Sequence, residues 1–316
     1  MLELSVIIPV YDEAENIDPL IKEIYKSLSL IDYEIIFVDD SSTDDTCKKI
    51  QNFLIQDERI SLIQFKRNYG QSTAMVAGIE YSSGEYIAFL DGDLQNDPIN
   101  IPEMLGKLKS ENWDMVAGNR KNRQDGTFLR KIPSKIANFV IRITTNINIK
   151  DYGCTLKVMK REVAQDLDLR GELHRFIPLL ASFGGASITQ MDVLHHSRKF
   201  GKSKYGINRT FKVLSDLIFL LFFKKYSQKS MHLFGTMGVI GLFLGVIINL
   251  YLLSLKLAGN AIWGKPLLIV GVIFLLGGIQ LISIGILAEI GMGTYNLTIN
   301  KKKYAIKKIY GKIQNH

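Results

Sequence analysis

Cysteine is almost missing: Cys47 and Cys154 are the only two in 316 residues, far apart and without metal-type spacing. That excludes a disulfide framework and fits a reducing compartment, with the cytosol as the default. The opening Met1-Leu-Glu-Leu-Ser-Val-Ile-Ile-Pro9 carries no basic stretch, and its apolar run is far too short for a signal peptide, so it reads as a first strand. Charge is absent from two long runs, Leu233–Leu255 and Pro266–Ala288, each about 23 residues and therefore able to span a bilayer. With no charged residue inside either run to line a path, two spans make a hairpin and not a transporter.

The charge that is present is unevenly placed. The formal net charge is +8, and much of the excess flanks the apolar runs at Lys224, Lys225, Lys229, Lys301, Lys302, Lys303, Lys307, Lys308 and Lys312. Anionic lipid is a better partner for it than nucleic acid, which is not expected. The loop between the runs is short while lysines crowd the outer ends, so both flanks are expected in the cytosol and Lys256–Lys265 on the far side. Between Asn208 and Phe223 an apolar face of Phe211, Val213, Leu214, Leu217, Ile218, Leu221 and Phe222 is broken by Arg209, Lys212 and Asp216, as in a helix lying on a membrane surface. The expected organisation is a cytosolic α/β domain over 1–207, an interfacial amphipathic helix over 208–230, a transmembrane hairpin over 231–290 and a basic cytosolic tail over 291–316, in a multi-pass protein of the cell (inner) membrane.

Up to about Tyr205 the pattern alternates strands with helices. Leu4–Val10, Tyr33–Val38, Ile60–Phe65, Tyr86–Leu90 and Met115–Gly118 read as strands; residues 14–29 form a helix on the spacing of Ile17, Leu20, Ile21, Ile24 and Leu28. This order predicts a mainly parallel, doubly wound sheet with ligands at the carboxyl ends of its strands. Four polar clusters sit at those ends: Asp39/Asp40, Lys66-Arg67-Asn68, Asp91/Asp93 and Asn119-Arg120. One cluster alone reads as a helix cap or solvated loop; four on one edge point to function.

Asp91-Gly-Asp93-Leu-Gln95 sets two carboxylates and an amide at i, i+2 and i+4 directly after a strand. Carboxylates that close are costly without a cation between them, and oxygen ligands suit Mg²⁺ or Mn²⁺, an ion that usually carries substrate phosphates. An acidic Asp-Gly turn is the alternative for the tripeptide by itself. Taken in order, Pro9-x-Tyr11-x-Glu13, Val38-Asp39-Asp40-Ser41-Ser42-x-Asp44, Asn68-x-Gly70 and Asp91-x-Asp93-x-Gln95 resemble the inverting family 2 glycosyltransferases of GT-A fold. Gly171-Glu172-x-His174-Arg175-Phe176, Gly201-Lys202-Ser203-Lys204-Tyr205 and the paired apolar runs narrow the resemblance to the polyprenyl-phosphate branch, similar to dolichyl-phosphate mannose synthase and to bacterial enzymes that load sugars onto undecaprenyl phosphate. Gly92, where alanine is frequent in that family, and Cys154-Thr-Leu-Lys157 depart from its pattern.

The resemblance implies a metal-dependent hexosyltransferase that moves a sugar, with inversion, from a UDP- or GDP-linked donor to a polyprenyl (undecaprenyl) phosphate for cell-envelope glycosylation. It implies Asp91 and Asp93 as catalytic, Asp91, Asp93 and Gln95 as ligands of Mg or Mn, Pro9, Tyr11, Glu13 and Asp39 around the nucleotide, and Arg120, Arg130, Ser134, Arg198 and Lys204 on the acceptor phosphate. A lipid phosphate is already largely ionised at neutral pH, so no general base is required. Oligomeric state, a homo-oligomer included, is left open. Two other readings conflict with the residues. A catalytically silent nucleotide-sugar-binding scaffold conflicts with intact Asp91, Asp93 and Gln95; a processive polysaccharide synthase conflicts with the lack of a Gln-x-x-Arg-Trp motif, since neither Trp113 nor Trp263 follows arginine.

Overall fold

The computed structural model describes residues 2–120, 149–198, 200, 220, 230–298 and 304–312. The expected interfacial helix at 208–219 and 221–229 and the Gly201–Tyr205 loop lie outside the described residues. The chain divides into two compact units, Met1–Leu217 with Lys302–His316, and Ile218–Lys301.

In the first unit, β1 (Leu4–Val10), β2 (Tyr33–Asp39), β3 (Ile60–Phe65), β4 (Tyr86–Phe89), β5 (Met115–Arg120), β6 (Lys157–Lys160), β7 (Ile188–Val193) and β8 (Ile306–Tyr310) form one sheet in the order β7-β5-β6-β4-β1-β2-β3-β8. β1 pairs in parallel with β2 and β4, β2 with β3, and β5 with β7, whereas β6 is antiparallel to β4 and β5, and β8 to β3. Only β6 and β8 therefore run against the rest, so β1 to β5 leave the sheet on one edge.

Both faces of the sheet are covered, which is why its central strands are almost uninterrupted apolar runs. Alternation along β1 sends Val6 and Ile8 to a core with Ile17, Leu20, Ile21 and Ile24 of α1 (Ala14–Ser27) and Ile101, Met104 and Leu105 of α4 (Asn100–Ser110). Ile7 goes the other way, to Met75 and Ile79 of α3 (Gln71–Glu80), Phe89, Met115, Met159 and Ile177. The remaining helices among the described residues of this unit are α2 (Thr46–Leu54), α5 (Arg161–Gln165), a 3₁₀ turn at Leu173–Phe176 and α6 (Ile177–Phe183).

Within the segment expected as a basic cytosolic tail, a short stretch is paired into the sheet. Ile306–Tyr310 is the edge strand β8, with Ile309 opposite Ile63, and the Lys66 amide donates to Ala305 O at 3.0 Å. Tyr304 is buried beside Phe65, its hydroxyl bonded to Glu80. Lys307 and Lys308, which made this stretch look like a solvated tail, are exposed on an edge strand, where charge is the usual guard against further pairing.

Among the described residues, the second unit contains a pair of long helices, α7 (Ser230–Leu257) and α8 (Pro266–Thr298). Their apolar windows have mean hydropathies of 2.3 and 2.6, and only 22 % and 11 % of these windows is buried. A soluble core helix of that hydropathy would be mostly buried, so these helices are candidate membrane-spanning segments by length and composition. The helices approach along glycines: a Cβ at Gly238 would lie 2.7 Å from Gly278 O, and one at Gly245 2.8 Å from Leu275 N. Such small-residue contacts replace the hydrophobic driving force that lipid does not supply.

Candidate active site

The carboxyl edge of the sheet is held by its loops to one another. After β1, Asp12 takes φ 48°, its amide donates to Ser42 Oγ at 2.9 Å, and its carboxylate accepts from the Thr43 amide at 2.7 Å. The Glu13 amide donates to Thr46 Oγ1 at 2.8 Å and the Ala14 amide to Asp44 Oδ2 at 3.1 Å. Asp-Ser-Ser-Thr-Asp after a strand thus serves the neighbouring turn rather than only its own helix. Ser41 (φ 68°) and Leu94 (φ 60°) also lie in the left-handed region, so three loops of this edge hold a non-glycine residue in a costly conformation, as functional edges do.

Adjacent Asp39 and Asp40 have different tasks. Asp40 accepts from the Tyr69 and Gly70 amides at 2.6 and 2.8 Å and so braces the loop entering α3; burial, aided by the Asp39 charge, pushes its pKa up to about 6 against the pull of those amides. Asp39 is fully buried and accepts from the Ser42 amide at 3.0 Å, on the β2 end beside Pro9, which pairs with Val38. Glu13 turns its carboxylate to Asn16 Nδ2 at 2.6 Å. Pro9, Tyr11, Glu13 and Asp39 therefore share the ends of two adjacent parallel strands.

At the end of β4, Asp91 Oδ1 accepts from Gln71 Nε2 at 2.8 Å. Asp93 accepts from the Gln95 amide at 3.1 Å through Oδ1 and from Arg198 Nη2 at 2.6 Å through Oδ2. Burial, the Asp91 charge and Glu13 push the Asp93 pKa up to about 7, although Arg198 opposes the shift. A carboxylate crowded this way is a site that gains from a cation. A Cβ on Gly92 would come within 2.9 Å of Val10 Cγ1, so the small residue between the acids lets the loop lie against β1.

Among the described residues no three His, Cys, Asp or Glu side chains form a ready cluster for a metal. Two carboxylates and an amide oxygen are nonetheless the hard, partial donor set that suits Mg²⁺ or Mn²⁺ when substrate phosphates complete the shell, so the residues present fit such an ion.

Beyond this carboxylate pair lie two basic side chains, Arg120 mostly buried and Lys157 wholly so. Arg120 reaches Asp151 at 2.6 and 2.9 Å; burial works against its charge, but Asp151 outweighs burial and holds the guanidinium protonated. Lys157 is wholly buried between β4 and β5, bonded to Cys154 O, with its pKa lowered by burial and countered by Asp151 and Asp91 among others. On the α3 side, Ser72 Oγ donates to Gly171 O at 2.7 Å and lies 3.0 Å from His174 Nδ1, linking the helix that holds Asp91 to the Gly171–Phe176 stretch.

The structure therefore brings together Glu13, Asp91, Asp93, Arg120 and Arg198, the last through Asp93; Arg130, Ser134 and Lys204 lie outside the described residues. Gln71, Ser72, Asp151 and Lys157 were not foreseen. Their partners are distant in sequence, and only the unusual lysine in a strand end was a visible signal.

Residues 5–168 match the family model Glycosyl transferase family 2. A dodecaprenyl-phosphate galacturonate synthase of Rhizobium johnstonii is 40 % identical over 98 % of this chain and 93 % of that protein. An undecaprenyl-phosphate 4-deoxy-4-formamido-L-arabinose transferase of Proteus mirabilis is 32 % identical over 98 % and 94 % of the two chains. Among solved structures, glucosyl-3-phosphoglycerate synthase of Mycobacterium tuberculosis, crystallised with Mn²⁺ and uridine diphosphate, superposes with a TM-score of 0.55 at 18 % identity, over 70 % of this chain and 79 % of that one. That likeness supports the GT-A fold alone. A family match over half the chain, together with relatives aligned almost end to end, means that the protein belongs to glycosyl transferase family 2.

Proposed function

We propose that the protein transfers a sugar, with inversion, from a nucleoside diphosphate sugar to a polyprenyl phosphate at the cytosolic face of the cell (inner) membrane. The observation that carries this reading is the convergence of Glu13, Asp39, Asp91 and Asp93 on one edge of a parallel sheet in a chain that also holds a membrane hairpin. Relatives named for polyprenyl-phosphate sugar transfer support the substrate class.

Tyr11, Glu13 and Asp39 hold the nucleotide, uridine or guanosine, at the ends of β1 and β2. Asp91, Asp93 and Gln95 hold a Mg²⁺ or Mn²⁺ ion, which supplies charge neutralisation on the leaving diphosphate. Arg120, Arg130, Ser134, Arg198 and Lys204 draw in the acceptor phosphate. One of its oxygens bonds to the anomeric carbon as the bond from that carbon to the diphosphate breaks. The nucleophile is already an anion, so the side chains position and compensate charge and none takes a proton.

Connectivity supports a hairpin whose two flanks share one side. β3 and β8 share one sheet, and the two spans lie between them in sequence, which supports a hairpin that enters and leaves the bilayer on the same side. The lysine bias supports the cytosol as that side.

The test is to give the purified protein undecaprenyl phosphate, Mn²⁺ and a panel of nucleotide sugars that includes galacturonate and formamido-arabinose donors, then weigh the lipids. A lipid heavier by one glycosyl residue with one donor is expected. Sugar-free lipid across the panel, with released nucleotide and free sugar, would make the protein a hydrolase instead.

A further inference from the structure

The strap after β7 is fastened to the loop that carries the acid pair. Asn96 and His195 form an isolated antiparallel bridge, the His196 amide donates to Gln95 O at 2.8 Å, and His196 Nε2 lies 2.9 Å from Asp97 Oδ2. The Leu194 amide adds a longer bond, 3.4 Å, to Asn100 Oδ1. This strap delivers Arg198 to Asp93 at 2.6 Å, where the two side chains are only 22 % and 12 % exposed. Each oxygen of Asp93 is then engaged, Oδ1 by the Gln95 amide and Oδ2 by the guanidinium.

A divalent ion that takes Asp93 as a ligand needs the oxygen Arg198 holds, and it brings like charge to the same half-buried place. We propose that Arg198 and the divalent ion exchange on Asp93. Arg198 neutralises the acid pair until the ion arrives with the donor; the displaced guanidinium then turns to the acceptor phosphate. Guanidinium suits both partners because a carboxylate and a phosphate present it with the same paired-oxygen geometry. The order of binding follows: the acceptor gains one of its cations only after the ion and donor are seated. This inference rests on reading Asp91 and Asp93 as the ion site.

The experiment is a Mn²⁺ titration of the full-length protein in detergent, read as loss of the electron paramagnetic resonance signal of free Mn²⁺, without nucleotide. Arg198→Gln should bind Mn²⁺ about tenfold more tightly than the wild type, the size expected when one charge-assisted competitor is removed. Arg198→Lys, which keeps the charge but loses the fork, should fall between them and stands in if the glutamine variant does not fold. Asp93→Asn should lose the binding. Unchanged or weaker binding in both Arg198 variants, with binding still lost in Asp93→Asn, overturns the exchange and leaves the ion site standing. Wild-type binding in Asp93→Asn removes the ion site and the exchange with it.

Discussion

Leu4, Val6, Ile7 and Ile8 of β1 are wholly buried, whereas in α7 the buried positions include Gly235, Gly238 and Gly245, and Val239, Ile240 and Phe243 are 59 %, 55 % and 66 % exposed. The same apolar side chains thus face opposite ways in the two units. In the sheet domain water drives them inward, at roughly 25 cal/mol per Å² removed from solvent. In the hairpin the surroundings are as apolar as the side chains, so the seam is chosen by close fit, and glycine supplies it. Between these extremes lies the carboxyl edge of the sheet, where carboxylates are buried by choice of partner. The contrast is open to test by substitutions whose expected effects fall from one to the next.

The largest effect belongs to the edge. Asp93→Asn should reduce transfer by about three orders of magnitude, the scale for losing a charge-stabilising group at a reacting centre. The fold should hold, because the change also relieves repulsion from Asp91 and Glu13. Turnover within a few-fold of wild type in a lipid-product assay would remove Asp93 from the chemistry.

Next is the core. Phe89 is fully buried in the cluster with Ile7, Met75 and Met115. Phe89→Ala should cost about 3–5 kcal/mol, from lost transfer energy and the cavity left behind. Urea denaturation followed by a probe in the sheet domain measures it, and a loss under 1 kcal/mol would mean that this face of the sheet repacks freely.

Asp40 shows the edge borrowing stability from the core. Its unfolded-state carboxyl titrates near 3.8 and its folded one near 6. The folded state therefore holds the proton more tightly, so the contribution is full below pH 3.8 and fades as pH rises through 6. Asn at this position has no such proton to lose. The stability of the wild type relative to Asp40→Asn should thus fall by up to about 3 kcal/mol between pH 4 and 7. Melts of both proteins across that range give the difference, and a flat one would contradict the shift.

Much of the sheet domain could be read in advance because its signals are local. Alternation, runs bounded by polar clusters and helical spacing mark β1 to β5 and α1, and parallel order then puts the clusters on one edge. Two partner choices could not be read. Asp151 follows Arg120 by 31 residues, and Arg198 follows Asp93 by 105, yet each pair meets. Nothing in either local pattern encodes the other end; only the fold does. β8 was hidden for a different reason. An edge strand tolerates lysine on its open side, so Ile306-Lys-Lys-Ile309-Tyr310 carries the composition of a tail and the pairing of a strand. The apolar helix pair was legible from length and lack of charge alone, but its glycine seam was not, since α8 carries glycines that touch α7, such as Gly278, beside others with nothing near them, such as Gly277.

The smallest pair of effects lies in the hairpin, and their order is the point. Gly278 sits where an added Cβ would be 2.6 Å from Leu242 N and 2.7 Å from Gly238 O, both backbone atoms that cannot swing aside. Gly278→Leu should therefore push the helices apart at a cost of about 1–3 kcal/mol, the range for overpacking a close contact. Phe243 has no such neighbour requirement: it is 66 % exposed and its alternative surroundings are lipid tails. Phe243→Ala should change hairpin stability by about 0.5 kcal/mol or less, although the same change at Phe89 costs about 3–5 kcal/mol. Thermal unfolding in one detergent, with a disulfide-trapping pair across α7 and α8 as a local reporter, measures both. If Phe243→Ala proved the more damaging of the two, aromatic packing and not the glycine seam would be holding the spans together.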